Sequence, residues 1–170
     1  MPTSIQTSVA FNAAIGFPGM LYDLSPHDVV TRIATAVIPF GTLVVFSGEN
    51  CAPVGLTGDV TAGQIAIALR DESKASGGSI PLTTSGAGYQ IGDPVRCLRK
   101  NKVWVTPEEG TATAGAAVFG RFTVNGALTP GGFRSDTDAG KAVAIPRAQY
   151  FTGASTTAGA TVAVVEINTP

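Results

Sequence analysis

The stretch GYQIGDPVRCLRKNKVWV, Gly88 to Val105, decides the fold. β-branched and aromatic residues, among them the chain's single tryptophan, flank a run of cations. This pattern predicts two short strands joined by a turn at Lys100-Asn101 or Asn101-Lys102. Cross-strand geometry then places Trp104 on the face shared by Val95, Cys97 and Arg99, as framework rather than as a solvent-facing platform. The tip gathers Arg96, Arg99, Lys100 and Lys102, four of the chain's eleven basic residues. Two readings fit it: a solvated turn, or a contact with an acidic patch on a protein partner, where rim charges guide docking more than they add affinity. One tryptophan is a thin stacking platform for single-stranded nucleic acid.

Outward from this stretch the pattern stays β. Asp28 to Thr35 and Thr42 to Ser47 are rich in Val, Ile, Thr and Phe and are separated by Pro39-Phe40-Gly41, which reads as strand, turn, strand. In Gln64 to Arg70, Ile65, Ile67 and Leu69 alternate with smaller or polar residues, the period of a strand with one face inward. Asp71 to Gly88 reads as a long polar loop. In Ala117 to Val124 the alternation puts Val118, Gly120, Phe122 and Val124 on one face and leaves Phe119 exposed on the other. Asn125 to Gly140 is loop-like, and strands follow at Lys141 to Phe151 and at Thr161 to Ile167, the last apolar on both faces as in a central strand. No segment has the apolar stripe of an amphipathic helix. About eight strands spaced by turns predict an all-β domain, a jelly-roll-like sandwich or barrel, over residues 21–170.

Residues 1–20 differ. Isolated Ile5, Val9, Phe11, Ile15 and Phe17 sit among Thr, Ser, Ala and Gly in neither helical nor strand period, which predicts an extended N-terminal arm. Fully extended, it reaches about 60 Å at ~3.3 Å per residue, enough to touch a neighbouring molecule, with Phe11, Ile15 and Phe17 as its apolar anchors. Its start lacks the cationic region of a signal peptide and is broken by Gly16, Pro18 and Gly19. The most apolar run, Val29 to Phe46, holds Arg32 and Pro39, so no membrane span is expected. The 170 residues carry a formal net charge of -1, which gives no general attraction to nucleic acid or anionic lipid.

No catalytic, cofactor or metal constellation assembles from the sequence. His27 has no second ligand at zinc spacing and is expected at the surface. There is no Gly-x-Ser-x-Gly elbow or phosphate-binding loop. The acid pairs Asp71-Glu72, Glu108-Glu109 and Asp136 with Asp138 lack a visible partner geometry, and Asp136 to Gly140 lacks the spacing and closing Glu of a calcium loop. Cys51 and Cys97 have neither metal nor redox spacing and are expected as buried thiols of a reducing cytosol, with a disulfide the lesser alternative.

Several motifs, in order, resemble the structural cement (decoration) proteins of tailed bacteriophage heads: Phe17-Pro18-Gly19-Met20; Ala36 to Gly41 leading into Val44-Val45; Gly88 to Val95; Val103-Trp104-Val105; and Ala158-Gly159-Ala160 before Val162 to Ile167. The chain departs from that pattern at Lys100-Asn101-Lys102, where the family often has a glycine, and at Ala116, where an acidic residue is common. The resemblance implies a non-enzymatic jelly-roll-like domain on the outer surface of the capsid, made in the host bacterial cytoplasm. Its partner would be the phage major capsid protein, with self-association as a homodimer ahead of a homotrimer. Arg96, Arg99, Lys100, Lys102 and Phe119 join the arm residues as candidate contacts. A carbohydrate-binding jelly-roll adhesion module of a virion is the alternative.

Overall fold

The computed structural model describes residues 16–61, 64–74, 88–109, 112–138, 140–157 and 160–169. Its strands, in chain order, are β1 (Asp28–Ala34), β2 (Ile38–Pro39), β3 (Leu43–Ser47), β4 (Asn50–Pro53), β5 (Ile65–Ala68), β6 (Gly88–Tyr89), β7 (Pro94–Val105), β8 (Pro107–Glu109), β9 (Ala117–Arg121), β10 (Phe133–Arg134), β11 (Ala142–Tyr150), β12 (Ser155–Thr157) and β13 (Ala160–Asn168). The five-residue helix α1 (Thr57–Thr61), which the sequence reading did not expect, interrupts them before β5. The fold is all-β and jelly-roll-like, with a barrel and an extended sheet sharing one strand.

The barrel is a closed ring. β1 pairs with β4 in parallel, Ala34 opposite Cys51, and with β7 antiparallel, Val30 opposite Cys97. β4 pairs with β3, β3 with β5, and β5 with β7, which returns the ladder to its start. Five strands enclose little space, so the inward side chains must be small. Ala34, Val44, Cys51, Ala66, Ala68, Val95 and Cys97 fill the interior. Ile38, Phe40 and Tyr89 close the end where β1 finishes and β7 begins, with the Phe40 and Tyr89 rings edge to face at 5.3 Å and the Tyr89 hydroxyl donating to the Leu69 carbonyl at 2.8 Å. Cys51 and Cys97 are free buried thiols, as expected; the neighbouring Cys51 thiol, and then burial, push Cys97 well above the ordinary thiol range.

All four residues of β5 are buried, not one face of them. Ala66 and Ala68 face the barrel, while Ile65 and Ile67 face a larger core outside its wall with Leu98, Val103, Val105, Val118, Phe133, Ile145, Val165 and Ile167. The sequence period was right, but both faces of this strand are interior. From β7 the sheet runs on through β13, β11, β9 and β10 to β8. β13 is a central strand, with Val162, Ala163, Val164 and Val165 buried on both faces. β9 ends at Arg121, so Val124 is exposed, and Phe119 is half-buried rather than open.

The opening stretch is not a hairpin. β7 is one strand of twelve residues through Lys100-Asn101-Lys102. Asn101 takes φ 134°, and the inward alternation steps by one between Leu98 and Val103, both in the outer core. That is the behaviour of a bulge, which kinks a strand and lets it keep pairing. The reason is tertiary: residues 94–100 pair with β1 and residues 100–105 with β13, so a reversal at Asn101 would forfeit both ladders. The loop expected over 71–88 is described only at its start, where Glu72–Lys74 forms a short 3-10 turn; its residues 75–87 lie outside the described residues.

The narrow ring makes Ala66 sensitive to size. Ala66→Leu should lower unfolding stability in denaturant by about 1–3 kcal/mol through overpacking. A variant as stable as the parent contradicts the closed interior.

Candidate interaction surface

The second half of β7 has a further neighbour. Gly19 N–H donates to the Trp104 carbonyl at 2.8 Å, Trp104 N–H to the Met20 carbonyl at 2.9 Å, and Tyr22 N–H to the Lys102 carbonyl at 3.0 Å. Residues 19–22 therefore continue the line of β1 along one edge of β7. A turn at Phe17-Pro18-Gly19-Met20 delivers the chain to this edge: Met20 N–H donates to the Phe17 carbonyl at 2.9 Å, and Gly19 has φ 83°, the left-handed value a type II turn requires after proline. Asn101 ties the junction, its Nδ2 donating to the Ser25 carbonyl at 3.1 Å.

This edge carries an aromatic cluster. The Tyr22 ring lies 5.7 Å from that of Trp104 and 5.4 Å from that of Phe151, tilted 54° and 60°. Lys102 Nζ sits 4.2 Å from the Phe151 ring centroid and 3.4 Å from Asp23 Oδ2. The Ser25 hydroxyl and backbone N–H, and then Lys102, hold the Asp23 carboxyl down to about 2. Tyr22 and Phe151 are 41% and 39% exposed, while Trp104 is half-buried. Trp104 points away from Val103 and Val105, so its neighbours are Gly16 and Tyr22 rather than the main core. Sequence reasoning missed Tyr22 and Phe151. The signal was the Pro18-Gly19 turn followed by the alternation of Met20, Tyr22 and Leu24, all three exposed.

The candidate residues do not converge on one point. Phe11 and Ile15 lie outside the described residues. Phe17 is half-buried on its own domain, its ring 5.0 Å from the Arg70 guanidinium, which also faces Phe40 at 5.3 Å. The four cations are strung along β7 rather than gathered at a tip. Arg99 Nη1 lies 3.6 Å from Asp28 Oδ2 and Lys102 is engaged as above, while Arg96 and Lys100 are exposed. Phe119 lies on β9, in the outer sheet.

The acidic residues have structural partners. Arg121, fully buried, donates from Nε to Glu108 Oε2 at 2.6 Å and from Nη1 to Asp138 Oδ2 at 3.1 Å. Asn125 Nδ2 donates to the same Asp138 oxygen at 3.3 Å, and Lys141 Nζ donates to Asn125 Oδ1 at 2.9 Å. Burial alone would pull Arg121 down, but Glu108 and Asp138 outweigh it and hold it above its ordinary value. Burial alone would raise Asp138, and the bond from Arg121 with the charge of Lys141 outweighs that and lowers it. Asp136 pairs with Arg134 at 2.7 Å, and Asp71 accepts from the Ser73 N–H and hydroxyl. His27 is exposed and its Nδ1 lies 3.1 Å from the Ser25 carbonyl. Among the described residues no three His, Cys, Asp or Glu side chains are grouped to hold a metal, and no helix is long and apolar enough to cross a membrane.

Residues 5–168 match the family model described as structural cement protein (E217 gp24/Pam3 gp6). The chain belongs to the structural cement protein family. Membership gives it a structural part in a phage capsid, within the virion and in association with capsid proteins, and implies no enzymatic role. A solved chain from the capsid of Myoviridae phage XM1 shares the fold at TM-score 0.65 and 20% identity, covering 94% of this chain and 98% of that one. No curated protein matches the sequence at a significant level.

For a family whose members are structural parts, the Arg121 cluster matters as stability. Glu108→Ala leaves a buried guanidinium with one counter-ion and should cost about 3 kcal/mol in chemical unfolding. The lowered Asp138 pKa sets the sign with pH: its contribution is complete above the unfolded carboxylate range and is lost as pH falls through the folded value. Melting temperature measured from pH 6 downward should therefore stay level and then fall below about pH 4. A melting temperature that rises on acidification contradicts this assignment.

Proposed function

We propose that this protein binds the outer surface of the major capsid protein shell and stabilises the head by bridging neighbouring subunits. The observation that carries the reading is the family match over residues 5–168, nearly the whole chain. The physics of the domain supports it. A closed barrel fused to a long sheet is a stiff body, and its acidic residues are largely engaged in ion pairs and caps rather than converging on a cleft.

Two surfaces would make the contacts. On the arm, Phe11 and Ile15 bury apolar side chains against a neighbouring subunit, with Phe17 anchored on Arg70 as the fixed end. At ~25 cal/mol per Å2 of apolar surface, such anchors contribute several kcal/mol before ordering costs, and many copies on one shell multiply the effect. On the domain, exposed Arg96 and Lys100 meet an acidic rim, and Phe119 offers a partly open ring. A homodimer ahead of a homotrimer, synthesis in the host cytoplasm and attachment from outside complete the reading. The carbohydrate-binding alternative needs aromatic faces that a sugar can lie flat upon, and the tilts within the Tyr22, Trp104 and Phe151 cluster disfavour it.

Mixing the purified protein with undecorated phage heads tests the proposal. Saturable co-sedimentation and a higher disruption temperature of the heads are expected, and both should weaken when residues 2–15 are removed. Absence of co-sedimentation overturns shell binding; unchanged binding and stabilisation by the shortened chain overturn the role of the arm.

A further inference from the structure

We propose that Asn125 and Lys141 are the two ends of an intramolecular isopeptide bond, formed when Lys141 Nζ attacks Asn125 Cγ and ammonia leaves, with Asp138 as the proton carrier. Shell binding is a separate matter, and neither reading needs the other.

The first support is how the three side chains meet. Lys141 Nζ donates to Asn125 Oδ1 at 2.9 Å, and Asn125 Nδ2 donates to Asp138 Oδ2 at 3.3 Å. These neighbours fix which way the amide points. An ammonium only donates and a carboxylate only accepts, so the carbonyl faces the amine and the NH2 faces the acid. That is the order an amide exchange needs, with the nucleophile at the carbonyl and the proton carrier at the leaving nitrogen. With a C=O bond of about 1.23 Å, Nζ stands no more than about 4.1 Å from Cγ, close to a near-attack separation.

The second support is rigidity. Asn125 and Leu128 exchange backbone hydrogen bonds, each N–H reaching the other's carbonyl at 3.0 Å, around Gly126 at φ 61°. Lys141 N–H donates to the Asp138 carbonyl at 2.8 Å, and the Lys141 carbonyl accepts from Phe122 N–H at 2.9 Å. Arg121 Nη1 holds the Asp138 carboxylate at 3.1 Å. All three reacting residues are half-buried and pinned beside the end of β9. Proximity fixed by the fold turns a slow bimolecular aminolysis into an intramolecular step.

The step balances without an oxidant or a cofactor. The neutral amine adds to Cγ; Asp138 takes the proton that Nζ then gives up and hands it to Nδ2. The bond from Cγ to Nδ2 breaks, ammonia departs, and a secondary amide joins the two side chains. Because the ammonium must first lose a proton to solvent, the reaction quickens as pH rises toward the lysine range.

Intact mass and tryptic mapping of the full chain, incubated near neutral pH and at about pH 9, test the proposal. A species lighter by one ammonia is expected, growing faster at the higher pH. In its digest residues 122–134 are joined to residues 135–147 in one branched peptide, since the modified Lys141 is no longer cut. Lys141→Arg keeps the cation but not the amine, and should retain both its sequence mass and the parent near-ultraviolet circular dichroism. A parent chain that stays at its sequence mass under both conditions overturns the proposal. Ammonia loss that persists in Lys141→Arg, or an aspartate found at Asn125, shows attack by the Gly126 nitrogen or by water instead and overturns it equally.

Discussion

β7 is the strand on which the rest of the molecule depends. Its two edges are filled along most of its length: β1 and the Gly19–Tyr22 segment lie end to end on one, β5 and β13 on the other. Its first half closes a five-stranded ring and its second half opens a broad sheet, and these need different curvature. The Asn101 bulge supplies the change without a break in the ladder. The same residue ties the Asp23–His27 link through Ser25, so one irregular position fixes both the bend and the chain that follows the bend.

Much of the fold was legible because strands declare themselves by period and composition. β1, β3, β5, β11 and β13 lie where the apolar alternation put them, and Pro39-Phe40-Gly41 separates β1 from β3 as its residue types require. The error at Lys100-Asn101-Lys102 has a physical origin. Two cations around an asparagine have the local chemistry of a turn, and only long-range pairing with β1 and β13 overrides it. The parallel β1–β4 pair that shuts the ring leaves no local trace, which is why the small size of Ala66 and Ala68 read as a weak outer face rather than a narrow interior.

The candidate surface was only partly legible. The cations were found, but their partners were not, since Asp23 and Asp28 lie far from Lys102 and Arg99 in sequence and meet them only across the β7 ladder. Glu108 and Asp138 carried no sequence sign that both answer to Arg121. With these charges satisfied internally, what the candidate residues of the described domain offer outward is modest: exposed Arg96 and Lys100 and a partly open Phe119, beside the aromatic edge at Tyr22 and Phe151. Such a surface suits a part that is held at several small contacts on a large lattice more than one that grips a single ligand.

Native-state hydrogen exchange on β7 tests most directly whether one strand unites the two halves. The account predicts that the amides of Leu98 in the barrel half and Val103 in the sheet half open with the same free energy, equal to that of global unfolding. Exchange of one half through a separate, lower-energy opening while the other stays protected would contradict it.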